Sequence, residues 1–293
     1  VALNDTVVLT AQNRTSWVRV PIFGAVIQRS GEALIPATEL RRWLVACPTT
    51  NMLDLDAAGG QVELRTGKSV CQMSILDAGK YPSIETADAE RTEVVIPGSE
   101  FVRAIQSVLF AIEKKENKNI RTDVMMIDLA AGEAAFMCTD TKAMSVVVLP
   151  TCASGPSRAE LLPAAYMNLL IPLVEGGGDV NVSLSQRDAI IKTDRLEFGS
   201  KLIESKTMPW RKVMKAWDRD RPEKIWIDGK QFLAAVRQVS AADPSSRRLE
   251  LEFGNGAASL STKTSSAVVD LPSCANEMRF AVDYEYMIDF FSQ

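Results

Sequence analysis

One short unit recurs five times along this chain and restricts the folds open to it. Two or three apolar, strand-like residues end in Pro or Asp, and a helix-like stretch follows with a large apolar residue four positions on. The copies are Ile35-Pro36 with Leu40, Ile96-Pro97 with Phe101, Leu162-Pro163 with Met167, Ile227-Asp228 with Phe232, and Val282-Asp283 with Met287. One turn later each copy continues the same helix face, with Trp43 and Leu44, Ala104 and Ile105, Leu170 and Ile171, Ala235 and Val236, and Phe290 and Phe291. A residue before Pro is pushed into extended geometry, and Pro is tolerated in the first turn of a helix because its missing N–H would be unpaired there. Asp serves the same switch by capping free N–H groups. The copies start about 55 to 65 residues apart, longer than most solenoid periods, and read as repeated half-domains.

A chain of 293 residues has room for two to three domains, and 46% apolar with 24% charged residues lets each bury its own core. No histidine is present, which removes Ser-His-Asp and Cys-His catalysis, HExxH zinc hydrolysis and the zinc deaminase pattern together. The five cysteines, Cys47, Cys71, Cys138, Cys152 and Cys274, are scattered without a CxxC pair and predict buried thiols in a reducing cytoplasm. Neither a metal nor a cofactor is expected. A net charge of −4 argues against indiscriminate coating of nucleic acid but permits a local basic surface. The longest apolar run, Ala164 to Val174, is too short to span a bilayer and contains Asn168 and Pro172. No signal peptide is seen, and the opening at Val1 suggests that the true start is missing.

Between the units the chain reads as strands. Thr6 to Thr10 and Trp17 to Val20 come first, then the helix from Pro36 to about Cys47, then strands Met52 to Asp56, Gln61 to Thr66 and Ser69 to Leu76. A polar linker, Asp77 to Arg91, precedes the longest helix, Pro97 to about Glu113, and strands Val124 to Leu129, Ala134 to Cys138 and Ala143 to Leu149. The third helix stops near Glu175, followed by strands Val180 to Leu184, Ala189 to Thr193, Leu196 to Gly199 and Lys201 to Ile203. After a second linker, Glu204 to Pro222, come a helix from Asp228 to about Ala242, strands Arg248 to Phe253, Ala257 to Thr262 and Ser266 to Leu271, and a fifth unit from Arg279. The expected order is helix, three strands, helix, three strands per domain, with the first domain lacking its opening unit and the third its closing strands.

Four stretches invite a functional reading. Gly67-Lys68-Ser69 has the tail of a phosphate-binding loop, but Val62 stands where that loop needs glycine, so it reads as a hairpin turn. Gly176-Gly177-Gly178 follows a helix and precedes a strand, the reverse of a nucleotide loop, and reads as a helix stop. The mainly basic run Glu113 to Arg121 is either a solvated corner or a contact surface. The second linker is unusually apolar, with Met208, Pro209, Trp210, Val213, Met214 and Trp217, and serves either inter-domain packing or binding.

Three passages, taken in order, carry a resemblance. They are Ser74 to Pro82 with Ser83-Ile84; Met125-Met126-Ile127-Asp128 leading to Cys138-Thr139-Asp140-Thr141-Lys142-Ala143-Met144; and Phe198 to Ile203 followed by Met208-Pro209-Trp210-Arg211-Lys212-Val213. Over essentially its whole length the chain resembles the bacterial DNA polymerase III β subunit, the sliding clamp family. The resemblance implies an α+β fold of three similar domains, each of two helix-plus-three- or four-strand halves, at 1–90, 91–213 and 214–293. It further implies a head-to-tail homodimer ring with helices inside and sheets outside. Such a ring is a non-catalytic, cytoplasmic, nucleoid-associated processivity factor that encircles duplex DNA without reading its sequence. Its partners are polymerase subunits, the clamp loader and other proteins bearing a short clamp-binding motif.

By the same resemblance the motif pocket comprises Asn119, Thr122, Thr139, Thr141, Lys142, Ala143 and Met144, with Met208, Lys212 and Val213 opposite. Thr141 replaces glycine, Ala143 a common arginine and Thr122 an apolar residue, and the family's C-terminal tail, which completes the pocket, is not in this sequence. DNA contacts are expected from Arg41, Arg42, Arg103, Lys230 and Arg237 on helix faces, and from Lys114, Lys115, Lys118 and Arg121 in the basic run. Glu39, Glu100, Glu285 and Asp289 oppose them, and Ala164 and Ala165 stand where relatives often carry positive charge. Cys71 and Met73 are expected on the edge strand at the subunit boundary. The thin basic lining motivates an alternative: a clamp-like paralogue or decoy that binds partner peptides without encircling DNA.

Overall fold

At each of the five junctions extended backbone gives way to helix at the residue named above. Pro36, Pro97 and Pro163 occupy the N-cap position itself, in extended geometry and without a side-chain cap, rather than the first helical turn. Asp228 caps with its carboxylate, Oδ1 accepting from the N–H groups of Lys230 at 2.9 Å and Gln231 at 3.0 Å. Asp283 accepts likewise from the Glu285 N–H at 3.0 Å. The structure, a computed structural model, describes residues 2–3, 6–48, 52–77, 79, 81, 90–112, 122–219, 225–272 and 278–292.

The middle of the chain shows how two such units make one domain. The first runs β7 (Thr92–Pro97), α2 (Gly98–Leu109), β8 (Val124–Ala130), β9 (Glu133–Thr139) and β10 (Met144–Pro150). The second runs β11 (Arg158–Pro163), α3 (Ala164–Val174), β12 (Asp179–Leu184), β13 (Asp188–Lys192) and β14 (Glu197–Lys201). The units exchange their leading strands: β7 pairs with β12 and β11 pairs with β8, both antiparallel. Two sheets result, and α2 packs on α3 beside them. Phe101, Met167, Ile105 and Leu170 from the helices join Ile96, Ile127, Phe136, Leu162, Val182 and Ile191 from the strands in one core. The fourth-position anchors Phe101, Met167 and Phe232 are at most 1% exposed, so burial of this stripe positions the helices.

The last part of the chain repeats one half of this plan. Helix α5 (Gly229–Ala241), strands β15 (Arg248–Gly254), β16 (Ala257–Ser261) and β17 (Ser266–Asp270), then β18 (Met278–Asp283) and α6 (Tyr284–Phe291) form a four-stranded sheet in the order β17-β16-β15-β18. That order matches β10-β9-β8-β11 strand for strand. Near the beginning, α1 (Ala37–Ala46) packs on β4 (Asp54–Ala58), β5 (Gln61–Thr66) and β6 (Ser69–Ser74) around Val62, Leu64 and Met73. Strands β1 (Ala2–Leu3), β2 (Thr6–Gln12) and β3 (Ser16–Ile22) leave that group and extend the middle sheet to seven strands, with β3 beside β14. The join has a specific shape: Gly199 pairs with Trp17, and a Cβ added at Gly199 would lie 2.3 Å from the Trp17 ring. Only glycine leaves room there.

Several expectations change. Strand 52–56 is displaced to Asp54–Ala58. The two strands expected at Leu196–Gly199 and Lys201–Ile203 are one, β14, drawn into register by β13 and β3. The second helix ends at Leu109 instead of near Glu113. The second linker holds a helix, α4 (Trp210–Arg219), in which the expected domain boundary after residue 213 falls. The thiols are not uniformly buried, since Cys152 is exposed and Cys47 and Cys71 are half-buried, while burial pushes the Cys138 thiol up. Cys274 lies outside the described residues.

Candidate functional site

Sequence-predicted pocket residues gather at the turn between β9 and β10. Asp140 organises it, its Oδ1 accepting from the backbone N–H groups of Lys142 at 2.9 Å and Ala143 at 2.7 Å. Thr139 closes the loop, its hydroxyl donating to the Ala143 carbonyl at 2.7 Å and accepting from the Thr141 N–H at 3.0 Å. This pattern forces Thr141 into the left-handed region, φ 77°. A β-branched residue is unfavourable there, by about 1–3 kcal/mol, and glycine would not be. The other Asp140 oxygen accepts from the Tyr286 hydroxyl on α6. Partial burial works against the charge of Asp140, but the hydrogen bonds from Tyr286 and from the Ala143 and Lys142 N–H groups outweigh it and hold the carboxyl below its ordinary range.

Facing the turn across the outer side of this sheet is the segment at 208–214. Met208, Trp210 and Met214 pack with Met144, Val146, Met126 and Met137. Residues Met144 and Met208, distant in sequence, therefore share one apolar cluster. Strand β8 is buried on both faces as a result, its alternate residues serving this cluster and the domain core. Trp210 fixes the segment: its indole N–H donates to Asp128 Oδ2 at 2.9 Å, and the Arg211 guanidinium stacks 4.4 Å from its ring centroid. Arg211 also bridges Asp128 and Glu133. Partial burial disfavours its charge, yet hydrogen bonds to Glu133 and Asp128 hold it above its ordinary value. A cleft of about 240 Å³ opens here between Met126, Ala159, Met208, Trp210 and Lys212.

Not every expected residue reaches this surface. Thr139, Ala143 and Val213 are half-buried, and Thr141, Lys142 and Lys212 are exposed. Thr122, in contrast, is 2% exposed, too deeply placed to meet a peptide without rearrangement. Asn119, Lys114, Lys115, Lys118 and Arg121 lie outside the described residues. Arg41, Arg42, Arg103, Lys230 and Arg237 are all exposed on α1, α2 and α5, and Arg237 donates to the Ser292 hydroxyl at 3.1 Å. Helix α3 carries no charged residue and exposes Leu169 at 66% and Leu173 at 41%. Cys71 and Met73 lie on β6, an edge strand, but their side chains face the small core; Met73 is 7% exposed. Alternation along the strand puts Val70, 56% exposed, outward instead.

Comparison with known proteins bears on this arrangement. Residues 95–208 match the family model of the DNA polymerase III beta subunit, central domain. The β subunit of DNA polymerase III from Pseudomonas aeruginosa superposes with a TM-score of 0.80 at 18% identity, covering 99% of this chain and 81% of that one. The chain has the fold of a bacterial sliding clamp. The Helicobacter pylori β clamp bound to a DNA ligase peptide agrees equally well, with a TM-score of 0.81 at 15% identity and the same coverage. Among curated β sliding clamps, that of Proteus mirabilis is 20% identical over 268 residues, or 88% of this chain and 71% of its own length. That of Salmonella typhimurium is 22% identical over 185 residues, 63% of this chain and 50% of its own. The chain thus spans between half and about 70% of these curated relatives.

Within this clamp fold the residues that brace the site were not among those expected to form it. Asp128, Arg211 and Tyr286 hold the two halves, and each is an ordinary polar residue in sequence. A signal did exist for Asp128, a lone acid inside the apolar run Val124 to Leu129, which a buried strand tolerates only with partners.

Proposed function

We propose that this chain is a sliding-clamp subunit, a non-catalytic processivity factor whose ring encircles duplex DNA and holds polymerase and other partners at the pocket between Met144 and Met208. The observation that carries this reading is the join of β3 to β14. There the third strand of a first half-domain meets the third strand of a second half-domain across a domain boundary. Strand β17 occupies the first of these roles and β6 the second, and both are sheet edges among the described residues. A second copy placed head to tail would join β17 to β6 in the same way, leaving neither edge open. The expected domains at 1–90, 91–213 and 214–293 are the repeating elements of such a ring, and the basic run with Lys114, Lys115, Lys118 and Arg121, outside the described residues, supplies part of the charge proposed to meet DNA.

The uncharged, apolar face of α3 favours a second reading, a clamp-like decoy that binds partner peptides without holding DNA. Retention on DNA separates the two. The clamp reading expects protein assembled on nicked circular DNA to stay bound during gel filtration and to be lost once the circle is cut. It also expects Arg103→Glu with Lys230→Glu to weaken binding to duplex DNA and to make the remaining binding less steeply dependent on salt, since fewer phosphate contacts release fewer counterions. Equal retention on linear DNA, or none on circles in the presence of a clamp loader, would sink it.

A further inference from the structure

We propose that Tyr286 of α6 is a positioning residue of the partner pocket, holding the Thr139–Met144 turn in its binding form through Asp140. The inference rests on the pocket reading above and adds to it a residue from a different part of the chain. Asp140 divides its two oxygens: Oδ1 takes the Lys142 and Ala143 N–H groups and so shapes the turn, while Oδ2 takes the Tyr286 hydroxyl. The turn has a reason to need this support. Thr141 at φ 77° pulls the backbone toward relaxation, and the carboxylate opposes that pull only while its own orientation is fixed. Tyr286 fixes it from the far side.

A second contact keeps α6 at this distance from the middle domain, since Phe290 meets Phe110, just beyond α2, with ring centroids 6.1 Å apart at 71°. Tyr286 and Phe290 are one helical turn apart and face the same neighbour. Two effects follow from the shared carboxylate. The attachment of α6 and the shape of the pocket turn are one event, and a peptide seated on the turn tightens that attachment as much as the attachment favours the peptide. Thr141 sets how strongly the two are coupled, because a glycine there would hold the turn without help.

The test is a double-mutant comparison on the full chain, using a fluorescein-labelled DNA ligase peptide and anisotropy to read Kd. Tyr286→Phe keeps the ring and removes only the donor, and should weaken binding about tenfold, the lower end of what losing a hydrogen bond to a charged group costs, because the peptide feels the loss only through the turn. Thr141→Gly in the same chain should restore affinity to within about twofold, because the relaxed turn no longer depends on Asp140 being held. Unchanged binding by Tyr286→Phe overturns the proposal, as does a loss that Thr141→Gly leaves uncorrected. Failure of the unmodified chain to bind the peptide instead removes the pocket reading itself.

Discussion

Asp140 ties the β9–β10 turn to α6 through both carboxylate oxygens, and its ionisation should be visible. Its folded carboxyl is held below the ordinary value, while in the unfolded chain it titrates near about 3.9. A depressed folded value means that the charged form contributes stability in full above the unfolded value, and that this contribution fades as pH falls toward the folded one. Thermal unfolding of the native chain and of Asp140→Asn, compared from pH 7 down to pH 3, should show a native advantage that is constant above about pH 5 and shrinks below about pH 4. An advantage that grows on acidification would contradict the assignment. Thr141 belongs to the same turn and shows what sequence reading can reach. The family resemblance expects glycine at this position, but the strain that Thr141 incurs depends on a left-handed backbone that only the turn's hydrogen bonds impose.

Among the elements, α4 shows how a helix escapes notice. Trp210 and Met214 share one face at four-residue spacing, and Pro209 stands just before the start, yet flanking charges and prolines make the stretch read as a linker. Its apolar face needs a surface to bury against, and that surface is the outer side of β8, β9 and β11, whose strands read equally well as half-buried. The periodicity of the five repeated units, by contrast, names its own partners. Leu40, Phe101, Met167, Phe232 and Met287 all lie in or against a core. Asp128 joins α4 to the sheet and is itself only 6% exposed. Asp128→Ala should therefore destabilise the chain by about 1–3 kcal/mol, since the Trp210 indole loses its acceptor and Arg211 loses one of its two carboxylates. Urea unfolding followed by tryptophan fluorescence measures it; a loss below about 0.5 kcal/mol, the range of a surface change, would show that the contact does not hold α4 in place.

At the scale of the molecule, the proposed ring closes through backbone edges, and its side chains can be used to open it. Val70 on β6 and Val268 on β17 are 56% and 66% exposed. Changing both to Glu sets like charges on the strands that a head-to-tail dimer would bring together, and should shift sedimentation from dimer to monomer, while each single change shifts it less. A dimer that survives the double change must close through another surface. Why such joins are hard to read from sequence is clear from their spans: the sequence marks each strand, but Val94 meets Val182 and Trp17 meets Gly199 through pairing that no local pattern encodes.

The seven-stranded sheet also sets a timetable for synthesis. Strand β3 finds its neighbour β14 only after roughly 180 further residues have been added, which takes about 10–35 seconds at ordinary translation rates. Over that interval the Trp17 edge lacks the strand that covers it in the folded protein, and an unpaired strand edge is the kind of surface on which nascent chains associate.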